Sequence, residues 1–238
     1  MKDSTAVLFV HGIQGSPEQF RFLIDALPSG IETRNLRLPG HGADAMAFRS
    51  SGRADWLAAV RRETEELLQE GRRIVLVGHS MGCLLGLLCS DLLGDPYRGM
   101  LLLCCPFRVR PTFRYLSIGL RAARPERPGE DPAVTATRAA NSVYLRRSLE
   151  QLTLLHPYAD LLRLMGQTRS AGPECPTKLR FFFSERDEIV SPRSRDFAAA
   201  YPNAAVRVLP GCTHNYFNNE ARQLLRRTLL SMISEGTT

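Results

Sequence analysis

Lysine is almost missing from this 238-residue chain: of its 31 basic residues, Lys2 and Lys178 are the only lysines and the other 29 are arginine. No block of five or six like charges occurs, and the arginines are spread over nearly every segment. The net charge of +7 therefore reads as a compositional habit, not as a nucleic-acid footprint. The six cysteines form no Cys-x-x-Cys pair, and no histidine stands at a zinc-like spacing from them, which argues against a zinc module or a redox motif. They are expected to be reduced thiols, as in the cytoplasm. No apolar run approaches the ~18 residues that span a bilayer. The chain enters its first strand within a few residues of Met1, leaving no room for a signal peptide, so a soluble cytoplasmic protein without stable membrane insertion is expected. Internal repeats and low-complexity segments are also absent from the sequence.

What is present is an ordinary globular composition, 44% hydrophobic and 23% charged. Strand and helix signals alternate, the pattern of a mainly parallel α/β sheet covered on both faces. Strands are expected at Ala6–Val10, Glu32–Leu38, Arg73–Val77, Gly99–Cys104, Leu179–Ser184 and Val206–Leu209. Helices are expected from Pro17 to Leu27, from an N-cap at Asp55 to Gln69, and over Met81–Leu93, Pro192–Ala200 and Asn219–Ile233. The alternation breaks after Pro106. Residues 107–172 hold eleven arginines against five acids and two weak helical patterns, near Arg138–Thr153 and Tyr158–Gly166, with a turn or loop around Arg124–Pro132. This segment reads as a cap inserted into a core made of residues 1–106 and 173–238. A basic cap over a site would favour anionic substrates or a membrane surface, although a solvated helical face is the plainer reading.

One motif stands in the context its chemistry requires. Gly78-His79-Ser80-Met81-Gly82 lies directly between the strongest strand and a helix, as a nucleophile elbow does. The turn is so tight that side chains at 78 and 82 would clash, and it aims a helix N-terminus at Ser80. A serine hydroxyl needs a base. Of five histidines, His79 is inside the elbow, His11 and His41 lie in other loops, and His156 is in the inserted segment. His214 follows the last strand at the carboxyl edge of the sheet and is the candidate base. Its acid partner comes from the loop Glu185–Pro192, where Asp187 is the best placed and Glu185 and Glu188 read as surface carboxylates. For an oxyanion, the N–H groups of Met81 and Ile13 are the candidate donors, with Gly12 and Gly15 letting the His11–Gly15 loop approach a substrate. His11 itself reads as a brace for that loop.

Together, His11–Pro17, Leu38–Gly42, the Gly78–Gly82 elbow, Asp187 before Val190 and Pro192, and Gly211–His214 resemble the α/β-hydrolase superfamily, within it the small-capped bacterial carboxylesterases and monoacylglycerol-lipase-like esterases. The resemblance covers nearly the whole chain. It implies a Ser80–Asp187–His214 triad, an acyl-enzyme intermediate, no cofactor or metal, and a helical cap over 107–172 lining an acyl pocket. Phe107, Phe113 and Leu116 are candidates for that pocket, with Tyr115, Ile118, Leu154 and Leu155. The chain departs from the pattern twice. The two opening antiparallel strands have no room before Ala6, so about six strands are expected, and Cys83 stands where many relatives have glycine. The implied partner is a small acyl ester, with thioesters and C–C bonds open to the same triad. An aspartate-nucleophile dehalogenase or epoxide hydrolase is excluded by Ser80. A non-catalytic binding protein is disfavoured by the intact triad. Monomer and homodimer both remain open.

Overall fold

Four apolar runs lacking polar alternation demand burial on both sides, and the fold supplies it. The computed structural model describes residues 5–93, 96–143 and 154–235. Its sheet comprises β1 (Thr5–Val10), β2 (Glu32–Leu36), β3 (Arg73–His79), β4 (Tyr97–Leu103), β5 (Lys178–Ser184) and β6 (Ala204–Leu209). The spatial order is β2-β1-β3-β4-β5-β6 and every neighbouring pair is parallel. β1, β3, β4 and β5 occupy the centre and are almost wholly buried. The edge strands β2 and β6 carry the polar and half-exposed residues. The chain reverses its direction of travel across the sheet between β1 and β3. The loops leaving those two strands therefore flank the crevice where sites of open α/β sheets form.

Helices cover both faces. They are α1 (Arg21–Ile24, preceded by a 3-10 turn Pro17–Phe20), α2 (Ala45–Arg49), α3 (Arg53–Gln69), α4 (Met81–Leu93), α5 (Phe113–Ala122), α6 (Pro132–Ala140), α7 (Leu155–Ala171), α8 (Ser194–Ala199) and α9 (Asn219–Ser234). Several boundaries differ from the sequence reading. The N-cap of α3 is Gly52, while Asp55 is its third residue and accepts the Gly52 N–H at 2.9 Å. β2 stops at Leu36, two residues short, because Arg37 and Leu38 turn toward His11, whose Nε2 accepts the Leu38 N–H. α5 arises where no helix was expected, started by Thr112 Oγ1 accepting the Tyr115 N–H. Most of the pattern expected near Arg138–Thr153 lies outside the described residues; α6 ends at Ala140.

Within residues 107–172 the described elements pack in two ways. α5 and α6 share a small apolar cluster of Ile118, Ala133 and Val134, against which Tyr216 packs. α7 joins the main core through Leu161, Leu164 and Met165 and touches α3 and α4. Its Asp160 carboxylate accepts the Arg53 N–H at 2.9 Å, capping α3 from outside that helix, and holds Arg163 at 2.7 Å. A Cβ at Gly52 would stand 2.5 Å from Asp160 Oδ2, so the missing side chain is what admits the carboxylate. Among the described residues, no helix is long and apolar enough to cross a membrane.

Candidate active site

β3 ends in a forced turn. Ser80 adopts φ +52°, a left-handed conformation that a non-glycine residue rarely holds, and its N–H is tied to Leu103 O at 2.9 Å. The flanking glycines are steric necessities. A Cβ on Gly82 would lie 1.9 Å from Val10 O, and one on Gly78 would lie 2.8 Å from Cys83 N. The turn hands directly to α4, whose first residue is Met81, so the Met81 N–H has no helical acceptor. Cys83, the departure from glycine, points down into the sheet. It is fully buried, with Sγ 3.3 Å from the carbonyls of Gly78 and Leu103.

The loop leaving β1 lies against this elbow. A Cβ on Gly12 would be 2.9 Å from Ser80 Cβ. A turn closed by Gly15 N–H to Gly12 O at 3.0 Å places Ile13 and Gln14 at its corner, with Gln14 at φ +54°. His11 braces the loop as expected: Nδ1 donates to Gly12 O at 2.9 Å and Nε2 accepts from Leu38. Burial, aided by the neighbouring His41, drives His11 down to about 3, so the ring stays neutral and serves both bonds.

Asp187 and His214 meet from two strands. His214 Nδ1 donates to Asp187 Oδ2 at 3.0 Å, with Oδ1 at 3.2 Å, and Oδ1 also accepts the Ile189 and Val190 N–H groups at 2.9 and 2.8 Å. Burial alone would raise the Asp187 carboxyl. The His214 charge and hydrogen bond, with those two amides, outweigh it and hold the carboxyl below its ordinary range. His214 shows the mirror image. Burial would lower it, but the charge and hydrogen bond of Asp187, assisted by the charge of Glu188, raise it above its ordinary value. Ser80 makes no side-chain hydrogen bond within the described structure; it stands next to His79, whose ring lies 4.9 Å from that of His214.

Three features went unread in the sequence. Glu188 is not a surface carboxylate: it is 2% exposed, its Oε2 accepts the His214 N–H at 3.1 Å, and burial raises its carboxyl. Glu185 does lie exposed, accepting the Gly211 N–H at 2.8 Å. His79 is a strut: burial, then the charge of His214, drives it to about 3, and the neutral ring donates Nε2–H to His214 O at 2.8 Å. Cys104 Sγ lies within 4.8 Å of ring nitrogens of both histidines. His214 Nδ1 is already bound to Asp187 and His79 Nε2 to a carbonyl, and burial holds the Cys104 thiol protonated, so the cluster reads as packing beneath the acid–imidazole pair. Finally, residues of the 107–172 segment grip the Ile13–Gln14 corner. Ser142 N–H donates to Gln14 O at 2.8 Å, Ser142 Oγ donates to Gly15 O, and Tyr158 OH donates to Gln14 Oε1 at 2.9 Å. These partners lie 127 to 144 residues apart in the chain, beyond the reach of any local pattern.

The expected acyl-pocket residues are not brought together. Phe107 is 1% exposed and packs on Phe181, Phe197 and Tyr201 beside β5 and α8, making it a core residue. Phe113 and Leu116 lie on the outer side of α5, exposed. Both corrections have one cause. The apolar side chains after β4 were read as one group, whereas Phe107 precedes α5 and turns back under the sheet.

A parallel sheet with a left-handed serine between strand and helix, and an Asp–His pair on the loops leaving β5 and β6, defines the class of α/β hydrolases. The chain belongs to it: the model of the alpha/beta hydrolase family matches residues 7–227. No curated protein matches the sequence. Among solved structures it is similar to one described with LipS and LipT, two metagenome-derived lipolytic enzymes, at 19% identity and TM-score 0.69, covering 96% of this chain and 95% of the other. A monoacylglycerol lipase from Paleococcus ferrophilus superposes with TM-score 0.68 at 16% identity, covering 98% and 97%. A meta-cleavage product hydrolase from Pseudomonas fluorescens does so with TM-score 0.69 at 14% identity, covering 98% and 92%. At these identities the likeness concerns the fold.

Proposed function

We propose that this hydrolase cleaves carboxylic esters, short- to medium-chain acyl esters or monoacylglycerols, through an acyl-enzyme on Ser80. The observation that carries the reading is the Asp187–His214 hydrogen bond at 3.0 Å, which raises His214, together with a serine held at φ +52° next to His79, whose ring lies 4.9 Å from that of His214. In this reading Ser80 Oγ attacks the acyl carbon while His214 Nε2 takes its proton, and Asp187 stabilises the resulting imidazolium. The oxyanion lies against the Ile13 and Met81 N–H groups at the positive end of α4. Collapse breaks the acyl–oxygen bond, and the departing alcohol takes the proton from His214. Water then repeats the sequence and frees the acid. Every group used belongs to the chain, so the cycle needs neither cofactor nor metal.

The test is hydrolysis of p-nitrophenyl esters from acetate to palmitate, run beside Ser80→Ala. A maximum at short or medium chains, lost in Ser80→Ala, is the expected result. Turnover of acyl thioesters or C–C substrates in place of all the esters would replace the substrate class while keeping the triad. Activity that survives the substitution would remove Ser80 from the chemistry.

A further inference from the structure

α5 exposes the wrong face for a helix of a soluble core. At 100° per residue, Ile118 and Ala122 define the side packed on α6, and Phe113, Leu116 and Leu120 lie nearly opposite. Those three large apolar side chains are 92%, 57% and 64% exposed. Scattered single apolar residues on a surface need no explanation; three on one stripe of a ten-residue helix do.

Arginine predominates around the stripe, with five arginines against three acids between residues 110 and 131. Arg110, Arg121 and Arg124 are exposed, and none has a carboxylate within ion-pair distance among the described residues. Of the three acids nearby, Glu126 is exposed, and the other two are engaged. Glu130 binds Arg138 at 2.8 Å, and Asp131 caps α6 while meeting Arg114 at 3.4 Å. Arg138 also donates to the carbonyls of Arg121, Ala122 and Arg124, fixing the end of α5 from which Arg121 and Arg124 project.

We propose that α5 docks this protein peripherally on an anionic lipid surface, with Phe113, Leu116 and Leu120 entering the headgroup–acyl boundary and Arg110, Arg121 and Arg124 at headgroup depth. The side chains protrude from a convex helix, so they suit a deformable interface that receives apolar groups and cations together. A second copy of the chain fits poorly, because a two-fold contact would set each arginine flank against its own image. The inference stands apart from the proposed chemistry and is measured without it.

The experiment is co-sedimentation with vesicles of phosphatidylcholine, alone or mixed with phosphatidylglycerol, using a Ser80→Ala background so that no turnover intervenes. The mixed vesicles should carry the protein down and the neutral ones far less. Arg121→Gln or Arg124→Gln should each weaken partitioning about fivefold, and Phe113→Ser with Leu120→Ser on the order of tenfold or more. Raising the salt should release it. Met46→Ser, which removes an exposed side chain on α2, should leave binding unchanged, and thermal melts should confirm that every variant folds. Equal binding to neutral vesicles, indifference to the α5 substitutions, or a concentration-dependent dimer abolished by them in place of vesicle binding would each overturn the proposal.

Discussion

His214 is pulled in two directions, and the winner sets a measurable pH. Burial disfavours its charged form, while Asp187 and Glu188 favour it and prevail. A general base must be unprotonated, so a raised pKa puts the acid limb of kcat/KM above the ordinary 6.5. Below that limb the imidazolium cannot take the Ser80 proton. Asp187→Asn removes the larger opposing charge and leaves burial dominant. Its limb should fall below that of the wild type, with activity reduced on the order of 10³–10⁴-fold. A pH–rate profile of both proteins checks this; an unshifted limb would mean that another group titrates. At this scale Asp187 and His214 were legible, because each follows a strand at the carboxyl edge of the sheet. Glu188 was not. Two adjacent acids on a loop look alike in sequence, and only the fold shows Asp187 binding a ring nitrogen while Glu188 receives the His214 amide.

Elements meet at the site through contacts too close for a side chain. A Cβ added to Gly82 would stand 1.9 Å from Val10 O, a backbone atom of β1 that cannot yield. Gly82→Ala should abolish soluble expression or lower stability by more than about 4 kcal/mol, read from denaturant unfolding. The Tyr158–Gln14 bond makes a subtler case. Tyr158→Phe keeps the ring and deletes one donor to the Ile13–Gln14 corner. That should lower kcat about fivefold, in line with one hydrogen bond of ~1 kcal/mol, with KM little changed. A change in KM alone would mean that Tyr158 contacts substrate and does not position the loop. The need for glycine at 82 could be read from the motif. The Ser142 and Tyr158 contacts could not, because they join segments with no common periodicity. α5 was missed although Phe113, Leu116 and Leu120 stand at helical spacing, because the apolar residues after β4 were read together as pocket lining.

Across the whole molecule, alternation of short apolar strands with amphipathic helices was enough to expect a mainly parallel sheet of about six strands, while the strand order and the reversal between β1 and β3 came from the fold. Burial sorts the strands into centre and edge, since β1, β3, β4 and most of β5 are apolar and lie inside while β2 and β6 carry the half-exposed residues. Residues 107–172 were harder to read, because their described helices split their allegiance: α7 to the main core, α5 and α6 to a small cluster of their own. The central claim is that this architecture activates one serine among all those in the chain. Mass spectrometry after treatment with a fluorophosphonate tests it most directly. The account predicts a single adduct, mapped to Ser80, formed rapidly by the wild type and almost lost in His214→Ala. An unlabelled wild type, an adduct on another residue, or equal labelling without His214 would contradict it.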